Sequence, residues 1–379
     1  MNDRIKVVID DDIPFIKGVL EPYASVVYCK GKNIGLDEVR NADALIIRTR
    51  TRCDASLLNG SKVRFIASAT IGSDHIDLDY CRKNSITYTN SAGCNAWGVV
   101  QYVITALFTV AHEKGVSVAG KTIGIIGAGN VGERLARTVV KLGFKVLRCD
   151  PPVKKRIENG EDTTEKGRFS VDRSLLTPED FFDLSYVLEN ADIITLHVPL
   201  DNSTKGFFNK EMFAVIQENA IFINSSRGEV IDEQSLIDSR GKLSAIVTDV
   251  WNNEPNVNLK LMNVCDIATP HIAGYSLEGK INATVLVVNA FAKFFGLEDL
   301  SGFTIDYPVP EPVRTTTDLT DSFENNMFLL LNESFPLQEE DMKLRANPLQ
   351  FEQIRSDYVY RREISQEMFN IIDTIKPKI

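Results

Sequence analysis

A short apolar strand that runs into a glycine-spaced turn and then a helix constrains this chain more than any other feature. Thr122–Ile126 is followed by Gly127-Ala128-Gly129-Asn130-Val131-Gly132, and Glu133-Arg134-Leu135-Ala136 opens the helix. The three glycines serve different ends, which are a tight turn, close approach of backbone to a pyrophosphate, and contact between helix and strand. The helix N-terminus, at Asn130 and Val131, offers free N–H groups and a positive dipole end to phosphate oxygens. The next strand, Lys145–Cys149, ends at Asp150, 18 residues beyond Gly132 (150 − 132). An acidic residue at about 20 residues is placed to accept the ribose hydroxyls. The alternative is a glycine turn in an ordinary α/β domain with a surface aspartate; strand, turn, helix and acid in this order argue against it. Asp150 would repel a 2′-phosphate, and Pro151-Pro152 follow it rather than an arginine, so the cofactor expected is NAD and not NADP.

The 379 residues, 44% of them hydrophobic, are enough for two or three domains. Lys6–Asp10, Ala44–Arg48 and Arg64–Ala69 look like strands separated by turn or helix signals, which predicts a parallel α/β domain near the N-terminus. An apolar helix over Ala96–His112 leads into a second α/β series from Lys121 to about Pro270. A second apolar helix, Leu277–Phe295, follows it. The chain therefore leaves its first domain, builds a second and returns. Past about Leu300 comes a linker with Pro308, Pro310 and Pro312, then a polar, charged tail expected to be a small third domain or dimerisation arm. The expected bounds are 1–95 with 271–298, 96–270, and 299–379. A net charge of −10 disfavours nucleic acid as a partner. No apolar run reaches the ~18 residues of a membrane span, and no secretory signal is visible. The six cysteines are scattered, without a CxxC pair or a Cys/His cluster, so reduced thiols in the cytoplasm and no metal site are expected.

Chemistry concentrates in Thr269–Lys280, where His271 lies between a proline and small residues in a chain with four histidines. Upstream, the strand through Ile221–Asn224 delivers Ser225, Ser226 and Arg227 at its C-terminal end, where ligands of open α/β sheets bind. A guanidinium there can hold a carboxylate by two parallel hydrogen bonds, and the adjacent Gly228 suggests room for a ligand. Glu254 can orient His271 and stabilise its protonated form. Asp249, inside an apolar strand over 247–251, needs a partner; accepting from a nicotinamide amide and capping a neighbouring loop are both open. The remaining histidines have structural readings: His112 at a polar helix end, His75 as a helix cap, His197 at a strand end.

These residues together resemble the D-isomer-specific 2-hydroxy-acid dehydrogenases over about residues 1–300. The segments Ala69–Asp77, Gly93-Cys94-Asn95-Ala96, Pro270–Lys280 and Tyr358–Glu363, with the long tail, are similar to the branch that oxidises 4-phospho-D-erythronate to 2-oxo-3-hydroxy-4-phosphobutanoate on the route to pyridoxal 5′-phosphate. The resemblance implies a Rossmann-type NAD-binding domain inserted in a discontinuous flavodoxin-like substrate domain, with a C-terminal α+β domain that forms a homodimer. It also implies Arg227, Glu254 and His271 as the catalytic trio. Asp150, Val198, Ser225, Ser226, Arg227, Asp249 and Gly274 would contact NAD, and Thr49, Thr70 and Tyr275 the substrate. Amides near Thr70-Ile71-Gly72 would assist at the carboxylate. For the substrate phosphate Arg48 is the first candidate, and Arg361 or Arg362, of this or a partner subunit, the second unless they form a helix-surface salt-bridge face. Where the family often has Trp-Glu-x-Glu-Pro, this chain has Trp251-Asn252-Asn253-Glu254-Pro255, and the charged 153–170 loop has no assigned role. The rival readings are a phosphoglycerate or hydroxypyruvate dehydrogenase and a non-catalytic NAD-sensing scaffold.

Overall fold

A computed structural model describes residues 4–161, 163, 168–309 and 322–376. It divides into two compact units, Met1–Asn95 with Glu278–Val309, and Ala96–Leu277 with Pro310–Ile379. The crossover expected from the two long apolar helices is present, at Ala96–Lys114 and Leu277–Phe295.

The first unit carries five parallel strands: β1 (Ile5–Asp10), β2 (Ala24–Cys29), β3 (Ala44–Ile47), β4 (Phe65–Ser68) and β5 (Thr87–Asn90), in the order β2-β1-β3-β4-β5. That order is flavodoxin-like, with a switch point beside β1. β3 and β4 are buried along their whole length and read as continuous apolar runs, as strands covered on both faces must. Val287, Val288, Phe291 and Ala292 of the returning helix pack with Val7, Ile9, Ile46 and Phe65, which explains why a segment so distant in sequence belongs to this unit.

The second unit is a six-stranded parallel sheet: β6 (Thr122–Ile126), β7 (Lys145–Cys149), β8 (Ile193–Leu196), β9 (Ile221–Asn224), β10 (Ala245–Thr248) and β11 (Ile267–Ala268). Their order is β11-β10-β9-β8-β6-β7, so the order in which strands are added across the sheet reverses between β6 and β8, and the glycine loop leaves the sheet at that switch point.

The tail departs from expectation. Its described residues form helices Phe323–Ser334, Leu337–Ala346, Phe351–Asp357 and Gln366–Ile375, with no strand among them, and they pack within the second unit rather than as a separate α+β domain. The reason is burial. Helix Ala96–Lys114 is buried on nearly every face, and Phe323, Met327, Leu330, Leu331 and Phe335 share its core cluster. Pro310 and Pro312 of the expected linker lie outside the described residues, as do 162 and 164–167 of the charged loop. The start of that loop is the helix Pro151–Glu158.

Candidate active site

The glycine loop shows three different environments. Gly127 has φ +96°, and a Cβ there would stand 2.5 Å from the His197 carbonyl oxygen, so both the turn and the strand packing need glycine. A Cβ on Gly132 would stand 1.9 Å from the Gly127 carbonyl oxygen, where the helix meets the turn. At Gly129 a Cβ would meet nothing within 4 Å, so the backbone there faces open space. Asp150 ties the loop to the next helix: one carboxylate oxygen accepts from Ala128 N at 2.8 Å, the other from Val153 N at 3.0 Å. Val198, half-buried, lies against Gly127. The Ser225 hydroxyl at the end of β9 is buried without a hydrogen-bond partner among the described residues. An open glycine face at a helix N-terminus and a buried hydroxyl seeking a partner fit a bound dinucleotide.

Arg227 lies three residues past β9, in a turn braced by Asn224. The Asn224 side chain accepts from Ser226 N and Ser226 Oγ and donates to the Arg227 carbonyl at 3.0 Å. The half-buried guanidinium donates to Ser226 O at 2.8 Å. Gly228 does not make room for a ligand, as its place beside Arg227 suggested. A Cβ there would stand 2.0 Å from the Trp251 carbonyl carbon, so Gly228 lets the loop after β10 pack against the loop after β9. Glu233 completes that packing, accepting from Asn252 N at 2.9 Å and Asn258 Nδ2 at 2.7 Å. It supplies a carboxylate beside Asn252, where the sequence motif has lost one.

His271 pairs with a carboxylate. Its Nδ1 lies 2.8 Å from Glu254 Oε2, the pair is only partly shielded, and the imidazole side chain is 26% exposed. Glu254 Oε1 accepts from Trp251 N at 3.1 Å. Burial alone would raise the Glu254 carboxyl. The His271 partner, the Arg355 charge and the Trp251 N–H outweigh it and hold the group below the ordinary glutamate value. With Nδ1 committed to the carboxylate, Nε2 is the nitrogen left for a substrate proton.

The loop around this pair is gripped by Asp249, which sits just past β10 rather than inside a strand. Its backbone oxygen accepts from His271 N at 2.7 Å. Its fully buried carboxylate accepts from Thr269 Oγ1 at 2.7 Å, Ile272 N at 2.8 Å and Ala273 N at 2.9 Å. Of the two readings left open, loop capping is what these bonds perform. They also place residues 271–277 in the second unit, not with the substrate domain as expected.

The other expected contacts are distributed. Half-buried Gly274 and Tyr275 follow in the same loop, and the Arg355 guanidinium stands 5.4 Å from the Tyr275 ring centre. In the first unit Arg48 and Thr49 follow β3, and Thr70 and Gly72 follow β4. Arg48 donates to the Asp12 carbonyl at 3.1 Å, and Thr70 Oγ1 lies 2.7 Å from Ser68 Oγ. Arg361 is buried in an extended segment, not on a helix surface. Its guanidinium is given over to protein oxygens and stacks 3.9 Å from the Phe335 ring centre, which removes it as a phosphate ligand. His197 is half-buried, and desolvation of its imidazole pushes it down to about 3, so it stays neutral. His112 stacks on Phe328 at 4.0 Å and bonds Asn325, while the cap expected of His75 is made by Asp77, whose carboxylate accepts from Tyr80 N.

Residues 107–273 match the family model described as the D-isomer specific 2-hydroxyacid dehydrogenase NAD binding domain. An erythronate-4-phosphate dehydrogenase of Bacteroides fragilis is 42% identical over 368 residues, covering 95% of this chain and 97% of its own. One from Proteus mirabilis is 35% identical, covering 95% and 93%. Among solved structures, an NAD+-bound 3-phosphoglycerate dehydrogenase of Entamoeba histolytica aligns with a TM-score of 0.63 and 25% identity over 80% of this chain and 99% of that one. A D-lactate dehydrogenase of Aquifex aeolicus, complexed with NAD and lactic acid, shares the fold with a TM-score of 0.61 and 23% identity over 78% and 97%. The chain thus belongs to the D-isomer-specific 2-hydroxyacid dehydrogenases, in the branch of the erythronate-4-phosphate dehydrogenases, and its second unit carries the NAD-binding domain of that family.

Proposed function

We propose that the protein oxidises 4-phospho-D-erythronate at C2 to 2-oxo-3-hydroxy-4-phosphobutanoate, with Arg227, Glu254 and His271 as its catalytic residues. The observation that carries this reading is the His271–Glu254 pair, set in a loop at the carboxyl edge of an NAD-binding sheet, in a chain 42% identical to an enzyme named for that substrate. Arg227 holds the substrate carboxylate and fixes C2. His271 Nε2 takes the C2 hydroxyl proton, and Glu254 compensates the imidazolium that forms. NAD, held at Gly127–Gly132, Asp150, Val198, Ser225, Ser226 and Gly274, supplies the two-electron acceptor. Thr49, Thr70, Gly72 and Tyr275 contact the substrate, and Arg48 binds its phosphate. We further place the protein in the cytoplasm as a homodimer joined through the C-terminal segment. Support for the dimer comes from the strongly exposed apolar Leu349 and Val359 of that segment. Among the described residues no helix is long and apolar enough to cross a membrane.

The test is NADH formation by the purified protein with 4-phospho-D-erythronate, 3-phosphoglycerate and D-glycerate in parallel, with and without a 2-oxo acid acceptor. A preference for phosphoerythronate over D-glycerate of about 100-fold or more in kcat/KM is expected, since D-glycerate lacks the phosphate that half-buried Arg48 would hold; phosphoerythronate is also expected to be preferred over 3-phosphoglycerate. Preference for 3-phosphoglycerate would discard the named substrate and keep the trio; no turnover with any acid would discard the enzyme reading.

A further inference from the structure

The catalytic loop is held on its other side by the tail of the same chain. Arg361 offers five N–H donors. Nη1 donates to Ile272 O at 3.0 Å, Tyr275 O at 3.4 Å and Tyr358 Oη at 3.1 Å. Nη2 donates to Gly98 O at 2.8 Å and to Ala273 O, and Nε to Gln101 Oε1 at 3.2 Å. Asp249 takes the N–H groups of Ile272 and Ala273, and Arg361 takes the carbonyl oxygens of the same two residues. A buried anion and a buried cation therefore face each other across the Ile272–Ala273 peptide, each at the favourable end of its dipole, and each also holds one neighbouring peptide unit. The backbone around Arg361 joins in: Leu277 N donates to Arg361 O at 2.8 Å, Ser276 Oγ to Glu363 Oε1 at 2.7 Å, and Gln101 Nε2 to Arg362 O at 3.1 Å.

His271 needs such a grip. Its φ is +57°, in the left-handed region that a residue with a Cβ enters at a cost and keeps only when its surroundings impose it. The residues that impose it flank it on the C-terminal side, and they are the ones Arg361 and Asp249 hold.

We propose that Arg361 is a positioning residue for the catalytic base: its fork fixes the Ile272, Ala273 and Tyr275 carbonyls and thereby the backbone that aims the His271 imidazole at Glu254. The C-terminal segment is then part of the active site's construction, whatever its role in assembly. This rests on His271 being the base of the proposed reaction. Lysine cannot replace the fork, since one ammonium cannot reach acceptors spread over the 272–275 loop, helix Ala96–Lys114 and Tyr358.

The experiment uses the full chain as wild type, Arg361→Lys and Arg361→Met. It reads kcat, KM, the NAD Kd, and the low-field imidazole N–H proton of the His271–Glu254 hydrogen bond by NMR. Expected losses in kcat are about 10-fold for the lysine variant and about 100-fold for the methionine variant, with the NAD Kd within about 3-fold and the low-field proton weakened or lost. Should Arg361→Met fail to bind NAD, Arg361→Lys alone decides by the same criteria. Either folded variant keeping kcat within about 2-fold, or losing kcat with the low-field proton unchanged, overturns the proposal. His271→Asn as a control separates the underlying reading: if it turns over normally, the base assignment fails on its own account.

Discussion

His271 combines three properties at one residue: a carboxylate at 2.8 Å, a left-handed backbone and a partly exposed ring. Replacing it with asparagine removes the proposed proton acceptor and is expected to lower kcat by about 10²–10⁴-fold with little change in NAD affinity. Glu254→Gln keeps the shape and loses the charge. Its kcat should fall less, by about 10–100-fold, because the base remains but its imidazolium is uncompensated. The same pair predicts a pH signature. Glu254 is held below its ordinary value, so it contributes stability that is present above the ordinary carboxylate range and lost as pH falls through the lowered value. The Tm advantage of wild type over Glu254→Gln should therefore shrink toward acid pH. An advantage that grows as pH falls would contradict the pairing. The places of the three proposed catalytic residues were legible in sequence because each follows a strand in a recognisable local pattern. Arg361 and Glu233 were not, because their partners are distant in sequence: Arg361 reaches Ala273 across 88 positions and Glu233 reaches Asn258 across 25.

The strand–turn–helix element divides its roles among the glycines in a way that substitutions can separate. Gly132→Ala forces a methyl into the Gly127 carbonyl, and overpacking of this kind costs about 1–3 kcal/mol, or several degrees in Tm, together with weaker NAD binding. Gly129→Ala meets no protein atom, so Tm should stay within about 2 °C, while the NAD Kd rises by about 10-fold or more because the methyl occupies the space left for phosphate. Thermal melts with and without NAD decide it; unchanged NAD affinity in Gly129→Ala would remove the glycine loop from the cofactor site. Elements with this much local signal were readable to within a residue or two. β2 and β5 were not, because they are the edges of the first sheet. Thr87-Tyr88-Thr89-Asn90 forms no apolar run, and β2, although it carries Val26-Val27-Tyr28-Cys29, is partly exposed along most of its length, so neither shows the pattern that marks β3 and β4.

At the scale of the whole molecule, the discontinuous first domain could be foreseen from two long apolar helices, since a chain that leaves and returns needs a buried segment each way. The place of the tail could not, because its polar composition concealed the few residues that matter. Phe323, Met327, Leu330, Leu331, Phe335 and Leu337 are all buried in the core that surrounds helix Ala96–Lys114. At about 1.5–3 kcal/mol for each buried side chain, their contribution is of the order of a domain's entire ~5–15 kcal/mol stability, before the entropy of ordering the tail is subtracted. A chain ending at residue 309 should therefore lose its cooperative melt in the second unit, bind hydrophobic dye and fail to bind NAD, although Gly127–Gly132 and Asp150 remain in place. If the tail served assembly alone, the shortened chain would be a monomer with wild-type NAD affinity and an unchanged melt. Sedimentation and NAD titration on the same sample distinguish the two outcomes. Loss of NAD binding with loss of the melt would mean that the tail builds the nucleotide-binding unit before it can join two copies of it.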